Sequence, residues 1–209
     1  MRVEKFSYND FDDLNANTYV VINEGEAIVI DPSIDDDKIG DFLIKNNLKL
    51  VMVLLTHGHF DHIRGVDRLV KRFNCPFYIH FDDEKLLVEE TLNCSYFENT
   101  PIIVNSKAIT LSGDEEFGVL GDTLKVIHTP FHTEGSVCYY FINNKLLFSG
   151  DTLFMGSIGR DDLPTSNRRK RNDSLAKIKL LPKECKIYPG HGPNTSLNKE
   201  LLLNHFLQL

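Results

Sequence analysis

The chain reads Thr56-His57-Gly58-His59-Phe60-Asp61-His62 directly after its longest apolar run. The pattern is His-x-His-x-Asp-His, and imidazole and carboxylate groups are ligands that suit divalent zinc, iron or manganese. In an extended segment the side chains of His57 and His59 project to the same side, because the side-chain period of a strand is two. We therefore predict that these two histidines bind one metal ion. Asp61 and His62 are placed to serve a second ion as the chain turns.

Three further candidates lie downstream, each at the end of a predicted strand beside glycine or proline: His132, Asp151 and His191. Active-site groups favour such loops, because a rigid sheet aims them. A carboxylate bridge suits two cations about 3.5 Å apart, since it neutralises charge between them. We therefore predict seven ligands, with His57, His59 and His132 on one ion, Asp61, His62 and His191 on the other, and Asp151 between them.

Four other polar residues differ in how well they fit a supporting role at this site. Metal-bound imidazoles usually donate their second N–H to a carboxylate or a carbonyl. Asp31, at a strand end near the start of the chain, and His128, just before Thr129-Pro130, are candidates for that supporting role. His80 and His205 have no partner pattern and are interpreted as ordinary surface or core residues.

Runs of β-branched residues alternate with amphipathic stretches along the chain. Strands are predicted over residues 18–22, 27–30, 50–55, 76–79, 123–128, 137–142, 145–149 and 186–188. Helices are predicted over residues 35–46, 66–73, 82–92, 166–181 and 196–207, and residues 99–121 are expected to be irregular with short strand pieces. Asn143-Asn144 is expected to supply the positive φ of a tight hairpin turn. The order of strands, helices, strands and helices predicts one α/β domain over residues 1–209, a four-layer sandwich of two sheets with helices outside.

The composition favours a soluble chain whose partners are small molecules. Lys and Arg number 23 against 30 Asp and Glu, a net charge of −7, so a nucleic-acid partner is not expected. The longest apolar run has six residues, too few to cross a bilayer, and the first 15 residues lack the apolar core of a signal peptide. A cytoplasmic protein without a membrane partner is therefore expected. The four cysteines form no Cys-x-x-Cys pair and are interpreted as buried, reduced thiols.

The motif of residues 57–62, followed in order by His132, Asp151 and His191, resembles the metallo-β-lactamase superfamily. The resemblance extends from Asn17-Thr18-Tyr19 to Pro189-Gly190-His191-Gly192-Pro193. The stretch over residues 154–164 is similar to the small glyoxalase II-like hydrolases of that superfamily. This resemblance implies an αββα sandwich with a dinuclear metal site at one edge of the two sheets. The two divalent ions are most often zinc, with iron or manganese as alternatives.

Details of the motif distinguish neighbouring branches of the superfamily. Dizinc β-lactamases have Cys at the position of Asp151 and are exported, so antibiotic hydrolysis is not expected as the main role. Diiron flavoproteins have Glu at the position of His59, and RNA-processing members carry additional domains. Full-length glyoxalase II enzymes add a C-terminal helical region that holds glutathione. The chain ends at Leu209 without that region, which leaves the glutathione conjugate in doubt as the substrate.

The resemblance leads to an expected reaction, the hydrolysis of a small-molecule thioester. A metal-bound water has its pKa lowered toward about 7, so hydroxide is available to attack the carbonyl. One ion would polarise the carbonyl oxygen and the other would receive the departing thiolate. Asp61 is expected to orient the hydroxide as well as to bind metal. No Ser or Cys nucleophile is required, and no Gly-x-Ser-x-Gly elbow is present.

Basic residues offer a candidate contact for the substrate. The Arg160 guanidinium is predicted to hold an anionic group of the substrate, with an ion pair to Asp161 or Asp162 as the alternative. The run Arg168-Arg169-Lys170-Arg171 is interpreted as a solvated helix face, with an anion-binding patch as the alternative.

Two rival activities remain open from the sequence. A persulfide dioxygenase with a single iron would use the residues at His57, His132 and Asp151, two imidazoles and one carboxylate. A nucleic-acid phosphodiesterase would need a basic groove, which the composition does not favour. The sequence indicates neither the oligomeric state nor the acyl group of the substrate.

Overall fold

The computed structural model describes residues 1–7 and 15–208. Residues 8–14 and residue 209 lie outside the described part of the chain. The first of these two gaps falls within the N-terminal stretch for which a signal peptide was not expected. Two mixed β-sheets of six strands each form the centre. The first sheet contains, in spatial order, β1 (Arg2–Phe6), β2 (Thr18–Asn23), β3 (Glu26–Ile30), β4 (Lys49–Leu54), β5 (Phe77–His80) and β6 (Ile109–Leu111). The second contains β7 (Glu116–Val119), β8 (Asp122–His128), β9 (Val137–Phe141), β10 (Leu146–Gly150), β11 (Lys186–Pro189) and β12 (Thr195–Ser196). The first sheet is antiparallel through β3 and parallel from β3 to β6. In the second sheet the β10–β11 pair is parallel, and the other pairs between described strands are antiparallel.

Helices flank the two sheets. The α-helices are α1 (Lys38–Lys45), α2 (Phe60–Ile63), α3 (Val66–Phe73), α4 (Arg171–Lys179) and α5 (Leu197–Leu203). Three 3-10 helices span Phe81–Leu87, Arg168–Lys170 and His205–Leu207. This architecture confirms the predicted four-layer sandwich. The single domain over residues 1–209 stays a prediction.

Three hydrophobic clusters hold the layers together. Strand β3 shows how the sheets separate them, because its side chains alternate between the two faces. Val29 joins the cluster that packs helices α1 and α3 against the first sheet, whereas Ile28 and Ile30 join the cluster between the sheets. The third cluster includes Leu175 and Ile178 of α4, which pack against the second sheet. Strands buried on both faces explain the continuous apolar runs that predicted them.

Several predicted helices are shorter in the structure, because polar side chains compete for backbone groups near their ends. The helix predicted over residues 35–46 begins only at Lys38, whose N–H is bound by the carboxylate of Asp36. The helix predicted over residues 196–207 ends at Leu203, and the Asn204 side chain then accepts the N–H of Phe206. The prediction over residues 82–92 was wrong in type, since the 3-10 helix Phe81–Leu87 is followed by turns.

Smaller features of the fold also differ from the predictions. The helix predicted over residues 166–181 is a 3-10 turn followed by the nine-residue α4. Strands β1 and β12 were not predicted. In the β9–β10 hairpin the positive φ falls on Lys145 (53°) and not on Asn143 or Asn144. The N–H groups of those two asparagines are instead bound by the buried carboxylate of Asp122.

The ends of neighbouring strands bring the motif residues to one edge of the sandwich. Residues 57–62 follow β4, and residues 129–136 connect β8 to β9. Asp151 comes immediately after β10, and His191 lies just beyond β11. A rigid sheet therefore fixes the starting point of every loop that carries a predicted ligand.

All four cysteines are free and buried, as predicted. Across residues 1–7 and 15–208, no helix is both long and apolar enough to span a bilayer.

The carboxylate of Glu115 stabilises the turn between β6 and β7, and this can be tested. Its carboxylate accepts the N–H groups of Ser112 and Gly113, and these bonds lower its pKa from 4.5 to about 2 even though partial burial acts in the opposite direction. We expect Glu115→Gln to lower the unfolding free energy at pH 7 by about 1 kcal/mol, a modest value because the group is partly exposed. A depressed pKa stabilises the fold above the ordinary carboxyl range, so the difference from wild type should disappear as the pH falls from about 4.5 to about 2.

The measurement is urea unfolding at pH 7 and pH 3, with Asp114→Asn as the neighbouring exposed control. A difference between wild type and Glu115→Gln that is the same at both pH values would contradict the assignment.

Candidate metal centre

The structure brings all seven predicted ligand side chains together. In the first group, formed by His57, His59 and His132, one nitrogen of each ring lies within 4.8 Å of the others. The Nδ1 of His59 is 2.9 Å from the Nε2 of His132. The second group has the same compactness and contains Asp61, His62 and His191. Each group therefore offers three donor atoms at a spacing that one ion could bridge.

Asp151 lies between the two groups. Its Oδ2 is 3.4 Å from the Nε2 of His132 in the first group and 3.6 Å from the Nε2 of His191 in the second. Its Oδ1 is 3.4 Å from the Nε2 of His62. One carboxylate thus faces both sets of donors, which is the position predicted for the bridge. That the seven side chains bind metal stays a prediction.

The chemistry of the donors fits divalent metal ions. The Nε2 atoms of His57 and His62 and the Oδ1 of Asp151 are buried and have no hydrogen-bond partner among residues 1–7 and 15–208. Buried polar atoms without a partner are rare in proteins because they are costly. Several such atoms converging from different loops are expected where a cation completes the site. Imidazole nitrogens and carboxylate oxygens together suit zinc, iron or manganese.

The charges of the site divide between the two groups. Burial lowers the pKa of His57 well below its usual value and, reinforced by the neighbouring His132, lowers the pKa of His59 to about 3. Both rings are therefore neutral, the form that binds metal. At His62 burial opposes the charged form, but the carboxylates of Asp61 and Asp31 outweigh it and hold the pKa well above the usual value. The surroundings of the second group are thus more negatively charged, because more of the carboxylates lie there.

Asp31 supports the site as predicted. Its Oδ2 accepts the Nδ1–H of His62 at 2.9 Å, which leaves the Nε2 of that ring directed at the cluster. Its Oδ1 accepts the N–H of Thr56 at 2.8 Å. The backbone carbonyl of Arg160 plays the corresponding part for His132, whose Nδ1–H it accepts at 2.8 Å.

His128 does not take the supporting role considered for it. Its Nε2–H donates to the carbonyl of Glu134 at 2.8 Å, and its ring stacks on that of His80 with 4.0 Å between centroids. Neither contact involves one of the seven predicted ligands. The stacked pair instead connects the end of β5 in one sheet with the end of β8 in the other.

Asp83 is a supporting residue that the sequence analysis missed. Its side chain is fully buried, and its Oδ2 accepts the N–H of Gly58 at 2.9 Å and the hydroxyl of Thr133 at 2.7 Å. Its Oδ1 accepts the N–H of Gly135 at 2.8 Å. This carboxylate therefore ties the loop of His57 to the loop of His132. No signal marks it in the sequence, where it belongs to an acidic run that resembles the first turn of a helix.

The loop of His191 is anchored by the start of the first sheet. The Nδ2 of Asn17 donates to the carbonyls of Pro189 and Gly192 at 2.9 and 3.0 Å. Gly190 packs so closely against the centre that a Cβ atom there would lie 2.2 Å from the Oδ1 of Asp151. Only glycine allows the backbone to approach this carboxylate.

A cavity of about 280 Å³ opens beside the centre. Its lining includes the predicted ligands His59, Asp61, His132, Asp151 and His191. The rest of the lining is largely apolar and consists of Phe60, Cys94, Phe97, Phe154, Leu163 and Arg160. Burial raises the pKa of the Cys94 thiol, which is therefore protonated at neutral pH.

The Arg160 side chain forms the ion pair that was the alternative to a substrate contact. Its Nε donates to the Oδ1 of Asp162 at 2.7 Å. Contact of the same guanidinium with a substrate stays a prediction. In the basic run that follows, Arg168 and Arg171 both pair with the carboxylate of Asp161.

The four-layer fold and the imidazoles and carboxylates clustered at its edge define a protein class with a candidate metal centre at the end of two packed sheets. Residues 11–191 match the sequence profile described as the metallo-beta-lactamase superfamily, and the chain belongs to that superfamily.

Similar proteins fall in the same superfamily. A probable metallo-hydrolase of Bacillus subtilis (strain 168), YqgX, is 33% identical over 196 residues, 93% of each chain. A hydroxyacylglutathione hydrolase of Francisella philomiragia is 32% identical over 192 residues, which cover 91% of this chain and 68% of that protein.

Two solved structures show the same fold. The structure of the BLEG-1 B3 metallo-beta-lactamase is 34% identical, covers 100% of both chains and has a TM-score of 0.92. The structure of TTHA1623 in a di-iron-bound form is 33% identical, covers 93% of this chain and 96% of that chain, and has a TM-score of 0.83.

Proposed function

We propose that this protein hydrolyses thioesters of small molecules with the help of two divalent metal ions, with zinc as the first candidate. The observation that carries the proposal is the pair of three-donor groups joined by Asp151. The similarity to a hydroxyacylglutathione hydrolase supports a thioester as the substrate class. The similarity to a di-iron structure supports two ions and keeps iron as an alternative.

The residues divide the work of the proposed reaction. His57, His59 and His132 would hold one ion, and Asp61, His62 and His191 would hold the other, with Asp151 between them. When bound, two divalent ions lower the pKa of water toward about 7 and polarise a carbonyl group. The carboxylate of Asp61 faces the cavity, with its Oδ2 3.0 Å from the Nε2 of His191. We assign to it the acceptance of an O–H from the attacking water, which orients that water toward the carbonyl carbon.

The surroundings favour water over a protein nucleophile. The protonated Cys94 is a poor nucleophile, because the thiolate is the reactive form. Phe60 and Phe97 also line the cavity, and their rings carry no nucleophilic group.

Metal removal tests the proposal directly. Protein purified without added metal is expected to contain about two divalent ions per chain by elemental analysis. Chelation should abolish turnover of S-lactoylglutathione and simpler thioesters, and re-addition of zinc, iron or manganese should restore it. A chain that contains a single iron and consumes oxygen with glutathione persulfide would contradict the proposal and indicate the dioxygenase. Thioester turnover that persists without metal would also contradict it.

A second candidate is the hydrolysis of β-lactams. It is favoured by the similarity to a structure described as a B3 metallo-beta-lactamase. The two candidates share the attack of water on an activated carbonyl, so the same preparation can be assayed with a cephalosporin. We expect kcat/KM for the best thioester to exceed that for the β-lactam, and the reverse order would favour the second candidate.

A further inference from the structure

The apolar wall of the cavity exposes an aromatic side chain beside the metal centre. Phe97 is 55% exposed, although its ring is held edge-on against the buried Phe60 with 5.3 Å between centroids. The ring of Tyr96 packs against Phe97 from the other side at 5.3 Å. A large apolar side chain that is fixed in place and left open to a cavity indicates a binding surface.

A second aromatic side chain in the cavity lining, Phe154, is also held in place. Phe154 lies 5.9 Å from the ring of His191 and belongs to a short loop that returns at Ser157. Two side chains from the C-terminal part of the chain hold this loop. The buried carboxylate of Glu200 accepts the N–H of Gly156 at 2.7 Å, and the Asn204 amide donates to the carbonyl of Ser157 at 3.0 Å. The two aromatic walls are therefore built features and not loosely attached loops.

The charges around the cavity do not favour an anionic group of the substrate near the aromatic side chains. Among the described lining residues, Arg160 is the one lysine or arginine, and its guanidinium is already bound by Asp162. The nearby Arg168 and Arg171 are bound by Asp161. An anionic arm would meet guanidinium groups whose charge is already balanced by Asp161 or Asp162, whereas an uncharged apolar arm would be in direct contact with the aromatic walls.

The size of the cavity limits the arm that can enter. Its volume of about 280 Å³ lies just below the range of about 300–1,000 Å³ that is typical of small-molecule sites. The metal-facing side must also accommodate the thioester group itself. The remaining space suits one short alkyl chain or one aromatic ring.

We propose that the preferred substrate carries an uncharged, apolar group of about four to six carbons next to the scissile thioester bond, in contact with Phe97 and Phe154. This inference rests on the proposed thioester hydrolysis and names its substrate class.

Two series of substrates test the inference. One series varies the acyl group (acetyl, butanoyl, hexanoyl, benzoyl) on N-acetylcysteamine, an uncharged thiol. The other keeps the acetyl group and varies the thiol from methanethiol to hexanethiol and thiophenol. Each methylene that leaves water is worth about a fourfold gain. We therefore expect kcat/KM to rise at least tenfold along one of the two series.

The Phe97→Ala variant tests how much the apolar wall contributes to the preference for apolar substrates. The variant should lose at least threefold of the gain along the favoured series, mainly through KM. Phe81→Ala is the matched control, because Phe81 is 54% exposed and does not line the cavity. It should retain the full gain.

The outcomes distinguish a failure of this inference from a failure of the proposed thioester hydrolysis. Thioesters that are hydrolysed with no gain along either series, or with a gain that Phe97→Ala leaves intact, would overturn the apolar substrate class and leave the hydrolase in place. If none of the thioesters is hydrolysed by metal-loaded protein, the proposed function fails and the inference fails with it.

Discussion

Asp151→Ala is expected to lower thioester turnover at least a thousandfold and to reduce the bound metal to fewer than two ions per chain. Loss of a residue that only supports a metal ligand typically costs 10–100-fold in affinity or activity. Asp151 would contact both proposed ions, since its two oxygens face His132, His62 and His191 at 3.4 to 3.6 Å. A larger loss is therefore expected for its removal.

Two readouts and one control make this prediction specific. Elemental analysis reports metal content, and steady-state kinetics with the best thioester report turnover. Asp173→Ala removes an exposed carboxylate from α4 and should behave as wild type in both. A circular dichroism spectrum like that of wild type would show that Asp151→Ala is folded. Two bound ions and unchanged turnover in the folded variant would refute the assignment of Asp151 as the bridge.

Eight of the twelve described strands, β2 to β5 and β8 to β11, were predicted, because their apolar runs are a local feature of the sequence. Runs such as Ala27–Ile30 bury both faces, and continuous apolar β-branched sequence is the signature of such strands. Helix ends were predicted less well, because they depend on individual polar side chains such as Asn204, which binds the N–H of Phe206. Strand β12 has two residues, too few for a sequence pattern, and it is defined by its pairing with β11 in the folded structure.

The candidate ligands were also visible in the sequence, for two physical reasons. Four of them fall within six consecutive residues, where strand geometry alone relates their directions. The other three follow strand ends beside glycine or proline, as Asp151 follows Gly150 and His191 follows Gly190. Their convergence at 3 to 4 Å could not be derived from spacing, because it depends on the register of strands from both sheets.

Asp83 illustrates what remained hidden. Its hydrogen-bond partners Gly58 and Gly135 lie 25 and 52 residues away in the chain. Local sequence around it consists of acidic residues, which are common at helix starts and carry no sign of burial. Only the folded structure shows that this carboxylate contacts two ligand-bearing loops.

Asp83→Ala is therefore expected to lower the unfolding free energy by about 3–5 kcal/mol. The substitution would leave the N–H groups of Gly58 and Gly135 buried without an acceptor, and each such group costs about 1–3 kcal/mol. The Thr133 hydroxyl would lose one partner but would keep the Ser136 hydroxyl at 2.7 Å. The loops of His57 and His132 would also lose their common anchor. We expect metal affinity to fall about 10–100-fold as a consequence.

Urea unfolding and a metal titration at pH 7 would measure the two effects. Asp83→Asn keeps the shape of the side chain but replaces one acceptor oxygen with a donor, so it should lose an intermediate amount of stability. Asp82→Asn is the matched control, because its side chain is 35% exposed and lies on the same 3-10 helix without contacting either ligand loop. If Asp83→Ala bound metal as tightly as wild type in spite of reduced stability, the two loops would be positioned by the sheets alone, and Asp83 would stabilise the fold without shaping the centre.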